Sequence, residues 1–288
     1  MTAIIDVRGL SVHFRTTRGV VRAVEELSFN IAEGETVAIV GESGSGKSTA
    51  ALALLRLIPD PPGRIVAGEV MFEGRDLTKL PDTEIRGVRG RAISMIFQDP
   101  MMALNPVYTI GRQIEEVLEL HLAMSRTDAR ARAIELLRLV GVPAPEERVG
   151  QYPHNLSGGM RQRAMIAMAL ACKPKLLVAD EPTTALDVTV QAQVLELIGE
   201  LKQRLGMSVL LITHDLGVVA ETAQRVVVMY GGRKVEEGPV EEIFRNPRHA
   251  YTQALLAISR WDGAAGELLP ELAGDAAQRS FADGRGAV

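Results

Sequence analysis

The chain has 288 residues and a single cysteine, Cys172. An internal disulfide is therefore excluded, and so is a zinc or iron–sulfur site built on several thiolates. Cys172 lies in the apolar stretch AMALACK and reads as a small buried hydrophobe. Aromatic residues make up only 4%, too few for the stacking platforms that hold single-stranded nucleic acid. Excess positive charge is also missing: the formal net charge is −4, so no basic surface is announced for DNA or RNA. Apolar runs are short. None approaches the roughly 20 residues that cross a bilayer, and the N-terminus MTAIIDVRG lacks the apolar core of a secretory leader. A membrane role would have to be peripheral.

What is present is a globular chain, 47% hydrophobic and 24% charged, long enough for a large core with a subdomain. Residues 4–14 and 22–31 alternate apolar and polar and read as antiparallel strands. ETVAIVG, RAISMIFQ, KLLVAD and SVLLIT are short continuous apolar runs, as expected of strands covered on both faces. KSTAALALLRLI has helix composition and is expected to run to Pro59. Between about 100 and 173 the pattern becomes helical: TIGRQIEEVLELHLAM, TDARARAIELLRLVG and SGGMRQRAMIAMALACK. After 173 a strand, a long helix (VTVQAQVLELIGELKQRL) and a strand follow, the rhythm of a right-handed parallel crossover. The expected fold class is α/β. The glycine-rich stretch GESGSGKST, which matches G-x-x-x-x-G-K-[ST], makes the core a phosphate-loop NTPase with a mainly parallel sheet, joined by an N-terminal antiparallel β-subdomain and an inserted helical subdomain. The main body spans 1–260, with the helical subdomain inserted at about 100–173, and a C-terminal extension covers 239–288. The Ala- and Gly-rich end of that extension reads as disordered or loosely docked.

GESGSGKST, residues 41–49, joins a buried strand to a helix and matches G-x-x-x-x-G-K-[ST]. Glycines there let backbone N–H groups converge on phosphate oxygens at a helix N-terminus. Gly41, Ser43, Gly44, Ser45, Gly46, Lys47, Ser48 and Thr49 are the candidate nucleotide-binding residues. Lys47 is the group for the β- and γ-phosphates, and Ser48 the hydroxyl for Mg2+. Hydrolysis further needs an acid to hold the metal and a group to orient water. LLVADEP supplies both: Asp180 closes a buried strand, and Glu181 follows as the candidate base.

LSGGMRQR, residues 156–163, narrows the field. Ser157 is a natural N-cap, and Gly158 and Gly159 expose amides at a helix start, an arrangement suited to an anion. With the phosphate loop and ADEP, this stretch resembles the signature of ABC transporter ATP-binding subunits, and the resemblance covers most of the chain. It implies that Ser157, Gly158, Gly159 and Gln162 contact the ATP held by a facing subunit. It implies that Gln98 (IFQDP) senses Mg2+ and water, with Ser48 and Asp180 as the other metal-side groups. It places Asp187 (ALD) at the dimer seam, where Asp187 also reads as the N-cap of the next helix. It gives His214 (LITHD) a γ-phosphate contact and Phe14 the adenine-stacking position, a residue that reads equally well as core. Glu181, His214 and Gln98 are thus the catalytic candidates.

QDPMMALNP (98–106) and NPRHAYTQALLAIS (246–259) further resemble segments of oligopeptide and dipeptide importer ATPases. Met101, Met102 and Leu104 are candidates for a groove receiving a helix of a membrane subunit. The resemblance implies ATP and Mg2+ as cofactors. It implies a second, paralogous ATP-binding subunit, two integral permease subunits and an extracytoplasmic solute-binding protein, at the cytoplasmic face of the membrane. Some members carry an iron–sulfur cluster on C-terminal cysteines; with Cys172 alone, none is expected here. Nickel importers share these segments, so nickel or another small solute stands as the alternative cargo. An exporter, or an ABC-type ATPase acting on DNA, is disfavoured by the importer-like segments, the acidic balance and the lack of sustained heptads.

Overall fold

The structure is a computed structural model that describes residues 3–184 and 186–260. The chain opens with a hairpin of β1 (Ala3–Thr16) and β2 (Gly19–Ala32), then enters β3 (Thr36–Val40). The phosphate-loop residues lead into α1 (Lys47–Leu54), followed by β4 (Gly63–Phe72), β5 (Arg75–Asp76), α2 (Asp82–Val88) and β6 (Ile93–Ile96). A helical stretch follows: α3 (Pro100–Ala103), α4 (Ile110–Leu122), α5 (Arg126–Leu139), α6 (Pro145–Arg148) and α7 (Gly158–Ala169). The chain then returns through β7 (Leu176–Asp180), α8 (Val188–Leu205), β8 (Ser208–Ile212), α9 (Leu216–Thr222), β9 (Arg225–Tyr230) and β10 (Arg233–Pro239). Helices α10 (Val240–Arg245) and α11 (Ala250–Arg260) complete it.

Two sheets result. The first is antiparallel in the order β2-β1-β4-β5, and the second runs β10-β9-β3-β8-β7-β6. In the second, β6, β7, β8, β3 and β9 are mutually parallel and β10 is antiparallel at the edge. The expected α/β architecture is thus what forms, with the helical insert leaving after β6 and rejoining at β7.

Side-chain alternation explains why these runs are apolar throughout. Successive residues of a strand point to opposite faces. Val37 and Ile39 of β3, with Leu210 and Ile212 of β8, enter the core shared with α1 and the antiparallel sheet. Ala38 and Val40 enter the core under α9, α10 and α11. Leu177 and Ala179 of β7 turn the other way and pack with α4, α5, α7 and α8. Each parallel strand therefore has two buried faces and needs apolar residues at every position. Among the described residues, no helix is long and apolar enough to cross a membrane.

One boundary departs from the sequence. Helix α1 stops at Leu54 rather than running to Pro59. Arg56 adopts φ 50°, its N–H donates to the Ala53 carbonyl (3.0 Å), and the Leu57 N–H donates to the Leu52 carbonyl (2.8 Å). That pair of bonds is the Schellman ending, here with arginine in the left-handed position normally taken by glycine. Arg89 spans the break, donating to the carbonyls of Leu55 and Arg56 at 2.7 Å each. Cys172 is half-buried, and burial pushes its thiol pKa up, in keeping with an unreactive packing role. The Ala- and Gly-rich end of the extension lies outside the described residues.

Candidate active site

The phosphate loop is pressed against neighbouring backbone at both ends. Gly41 has φ 151°, and a Cβ there would lie 2.1 Å from the Met229 carbonyl oxygen. Gly46 has φ 97°, and its Cβ would lie 2.2 Å from the Ala23 carbonyl oxygen. Both positions admit only glycine, because backbone on either side cannot give way. Gly46→Ala is therefore expected to destabilise the fold by about 2 kcal/mol or more, from strain and steric overlap together. The midpoint of a urea titration reads this loss; an unchanged midpoint would contradict the geometry.

Inside the loop, Lys47 is buried and donates from Nζ to the carbonyls of Gly41 (2.7 Å) and Glu42 (2.8 Å). Burial lowers its pKa, opposed by the nearby charges of Glu181, Asp180 and Glu42. Ser43 and Gly44 lie exposed at the loop's tip, and Thr49 is half-buried in α1. The buried Ser45 hydroxyl has no hydrogen-bond partner, an orphaned polar atom within the loop. The Ser48 hydroxyl donates to Asp180 Oδ1 at 3.0 Å across 132 residues of sequence. Asp180 is buried at the end of β7; burial first, then the adjacent Glu181 charge, raises its carboxyl pKa. The donor set fits Mg2+. It offers a hydroxyl and a carboxylate, hard oxygens in contact, with the carboxylate in surroundings that a cation would relieve. No cluster of three or more His, Cys, Asp or Glu that could hold a metal occurs among the described residues.

Glu181 is the hub of the site. Its φ of 44° turns the chain sharply after β7, and its N–H donates to the Ile212 carbonyl of β8 (2.8 Å). Gln98 Nε2 donates to Glu181 Oε2 at 2.9 Å, and Thr184 Oγ1 donates to the same oxygen at 2.9 Å. His214 Nδ1 lies 3.4 Å from Oε1. Gln98, Glu181 and His214 each follow the C-terminal end of a parallel strand (β6, β7 and β8), and those strands are neighbours. The structure thus brings together all three catalytic candidates and adds Thr184, which the sequence reading missed. The signal was there: a hydroxyl three residues beyond Glu181 in EPTT can reach back across one turn.

Ser157 caps α7, accepting from the Met160 N–H at 3.3 Å. Ser157 and Gly158 are exposed. Gly159 packs closely on α8, where an added Cβ would sit 3.1 Å from Val190 Cγ1. Gln162 corrects the expectation that it faces another subunit's ATP. It is buried, and its Nε2 donates to the Pro182 carbonyl at 2.6 Å. One turn into the helix the side chain faces inward, fastening α7 to the turn that carries Glu181. Asp187 caps α8 by accepting from the Val190 N–H at 2.9 Å, as its N-cap reading requires. Phe14 is half-buried with its ring against Gly63, where an added Cβ would lie 2.6 Å from Cε1. Leu104 is a second correction: it is 2% exposed in the core of the helical insert and cannot line a surface groove. Met101 (41%) and Met102 (86%) remain at the surface.

Comparisons with known proteins show the family. A family described as ABC transporter matches residues 24–184. The chain belongs to the ABC transporter family. Bacillus subtilis "Oligopeptide transport ATP-binding protein OppD" is 56% identical over 257 residues, covering 89% of this chain and 72% of that protein. Escherichia coli "Dipeptide transport ATP-binding protein DppD" is 54% identical over 254 residues, covering 88% and 77%. Among solved structures, the dimeric ATP-binding cassette MJ0796, in a post-hydrolysis state bound to ADP and Pi, superposes with a TM-score of 0.74 at 30% identity. The match covers 82% of this chain and 98% of that one. For a member of the ABC family, the matched span takes in the phosphate loop, the signature helix and the Asp180–Glu181 pair, and stops at Thr184. His214 and the whole C-terminal extension lie beyond it.

Proposed function

We propose that this chain is the ATP-binding and ATP-hydrolysing subunit of an importer for di- and oligopeptides, docked on the cytoplasmic face of a membrane permease. The observation that carries the ATPase reading is the convergence of Gln98, Thr184 and His214 on Glu181, beside the Ser48–Asp180 pair. The solute class is supported by relatives at 54–56% identity whose names are those of peptide-transport subunits.

Glu181 has two lone-pair directions engaged and a carboxylate free to accept a proton from water, directly or through one further water. Gln98 and Thr184 fix the orientation of that carboxylate, and His214 stands at its other oxygen with an exposed side chain free to meet a γ-phosphate. Lys47 exchanges its loop carbonyls for phosphate oxygens, so its charge is already in place when nucleotide arrives. Ser48 and Asp180, together with Gln98, would hold Mg2+, whose charge would supply Lewis-acid stabilisation of the transferring phosphoryl group. Phe14 offers a ring face for adenine.

The exposed Ser157–Gly158 end of α7 makes no hydrogen bond to residues 41–49 among the described residues, so a second ATP-binding chain is the natural source of the nucleotide it meets. Asp187 lies at that seam. The second chain is a paralogue, and two permease subunits and an external solute-binding protein complete the assembly. Exposed Met101, Met102, Val107 and Tyr108 near the start of the helical insert provide the apolar surface for the permease.

The test is reconstitution in vesicles with permease and binding protein, reading ATPase activity. Di- or oligopeptides are expected to stimulate it several-fold. Stimulation by Ni2+ alone would overturn the solute class, and stimulation by DNA would overturn the transport reading.

A further inference from the structure

Besides the Ala23 carbonyl at Gly46, three fastenings of the phosphate loop come from residues after 228. The Met229 carbonyl abuts Gly41. The Gly232 N–H donates to the Ser45 carbonyl at 3.2 Å. The third comes from the C-terminal helix: the hydroxyl of Tyr251 accepts a hydrogen bond from the Glu42 N–H at 2.9 Å, across 209 residues of sequence.

Tyr251 is built to do this. It is 4% exposed, and its ring lies 4.4 Å, centroid to centroid, from that of Tyr230 at the end of β9. The start of α11 is anchored in turn: Glu236 of β10 accepts from the N–H groups of Arg248 (2.7 Å) and His249 (3.1 Å). A line of contacts thus runs from β10 through α11 to the first residue after Gly41. Glu42 is also the residue whose carbonyl accepts from Lys47. The bond to Tyr251 satisfies the Glu42 N–H and fixes the peptide that flanks the lysine's acceptors. An unsatisfied N–H at a part-buried position would drive the loop towards other conformations.

We infer that Tyr251 is a positioning residue for nucleotide binding: the C-terminal extension holds the phosphate loop in its receptive conformation through the Tyr251–Glu42 hydrogen bond. This rests on the ATP-binding reading above. It gives the segment 246–259 a role inside the subunit, whereas that segment otherwise only covers the core under α9 and α10. A receptive conformation that is only fractionally populated weakens apparent affinity by that fraction.

The experiment uses the full chain. Tyr251→Phe removes the acceptor and keeps the ring. Its dissociation constant for a fluorescent ATP analogue is expected to rise about five-fold, the worth of one hydrogen bond. Turnover at saturating ATP should stay within about two-fold, because Glu181 and its partners are untouched. Hydrogen exchange of residues 41–46 should accelerate in the nucleotide-free variant and return to the wild-type rate with ATP bound. Tyr230→Phe, which removes a hydroxyl that does not bond the loop, should change neither quantity. Wild-type affinity and loop protection in Tyr251→Phe would overturn this inference alone. A fall in turnover with unchanged affinity would overturn it too. Failure of the wild-type chain to bind ATP would instead overturn the function proposed above, and this inference with it.

Discussion

Glu181→Gln is expected to bind ATP with near wild-type affinity and to lose turnover by roughly 10²–10⁴-fold, the range that a positioned general base contributes. The amide has the volume of the carboxylate. Its oxygen can still accept from Gln98 and Thr184, which now meet at Oε2 with 2.9 Å bonds. What it loses is the capacity to take a proton from water. The strained turn at φ 44° does not depend on the side chain's charge, so the fold is kept. Single-turnover hydrolysis alongside nucleotide titration separates the two effects. Hydrolysis near the wild-type rate would remove Glu181 from the proposed role and leave Asp180 or His214 to be tested.

Lys47→Ala acts on the other side of the reaction. The ammonium is buried within a loop whose own carbonyls hold it, so it is positioned before the substrate arrives. Each hydrogen bond it gives a phosphate oxygen is charge-assisted and worth about 1.5–3 kcal/mol. Losing two of them should weaken ATP binding by roughly 100-fold or more. The variant also removes a cation from near Asp180, Glu181 and Glu42, the charges that now oppose the burial-driven fall in the lysine's pKa. Unchanged affinity, measured by titration with a fluorescent ATP analogue, would contradict the phosphate-loop assignment. Together the two variants divide binding from chemistry: one is expected to lose affinity and the other turnover.

The correction at Gln162 and the addition of Thr184 have a common origin. Gln162 lies in a stretch read for what it could offer a ligand and Thr184 just beyond another, and both are spent on the turn after β7. Gln162 holds the Pro182 carbonyl, and Thr184 holds the Glu181 carboxylate. A helix start such as SGG declares that its first amides are free. It does not declare which way the fifth and sixth residues face, because that depends on what packs against the helix. Here α7 lies on α8 closely enough for Gly159 to approach Val190. That packing directs Gln162 inward. Leu104 follows the same logic, since its neighbours in the helical insert claim it for the core.

The sequence alone determined the elements whose chemistry is contiguous. A phosphate is recognised by consecutive backbone amides, so GESGSGKST carries its site in nine adjacent residues, and buried parallel strands announce themselves by apolar residues on both faces. The Asp180–Glu181 pair and the Ser157 and Asp187 caps are local for the same reason. Only the tertiary structure decided what meets what. The order β3-β8-β7-β6 sets three strand ends side by side and so delivers Gln98 and His214 to Glu181 from 83 and 33 residues away. The folding-back of α11 brings Tyr251 to Glu42. Such meetings depend on how sheet and helices stack, which is settled by the burial of apolar faces over the whole chain and by no short stretch of it.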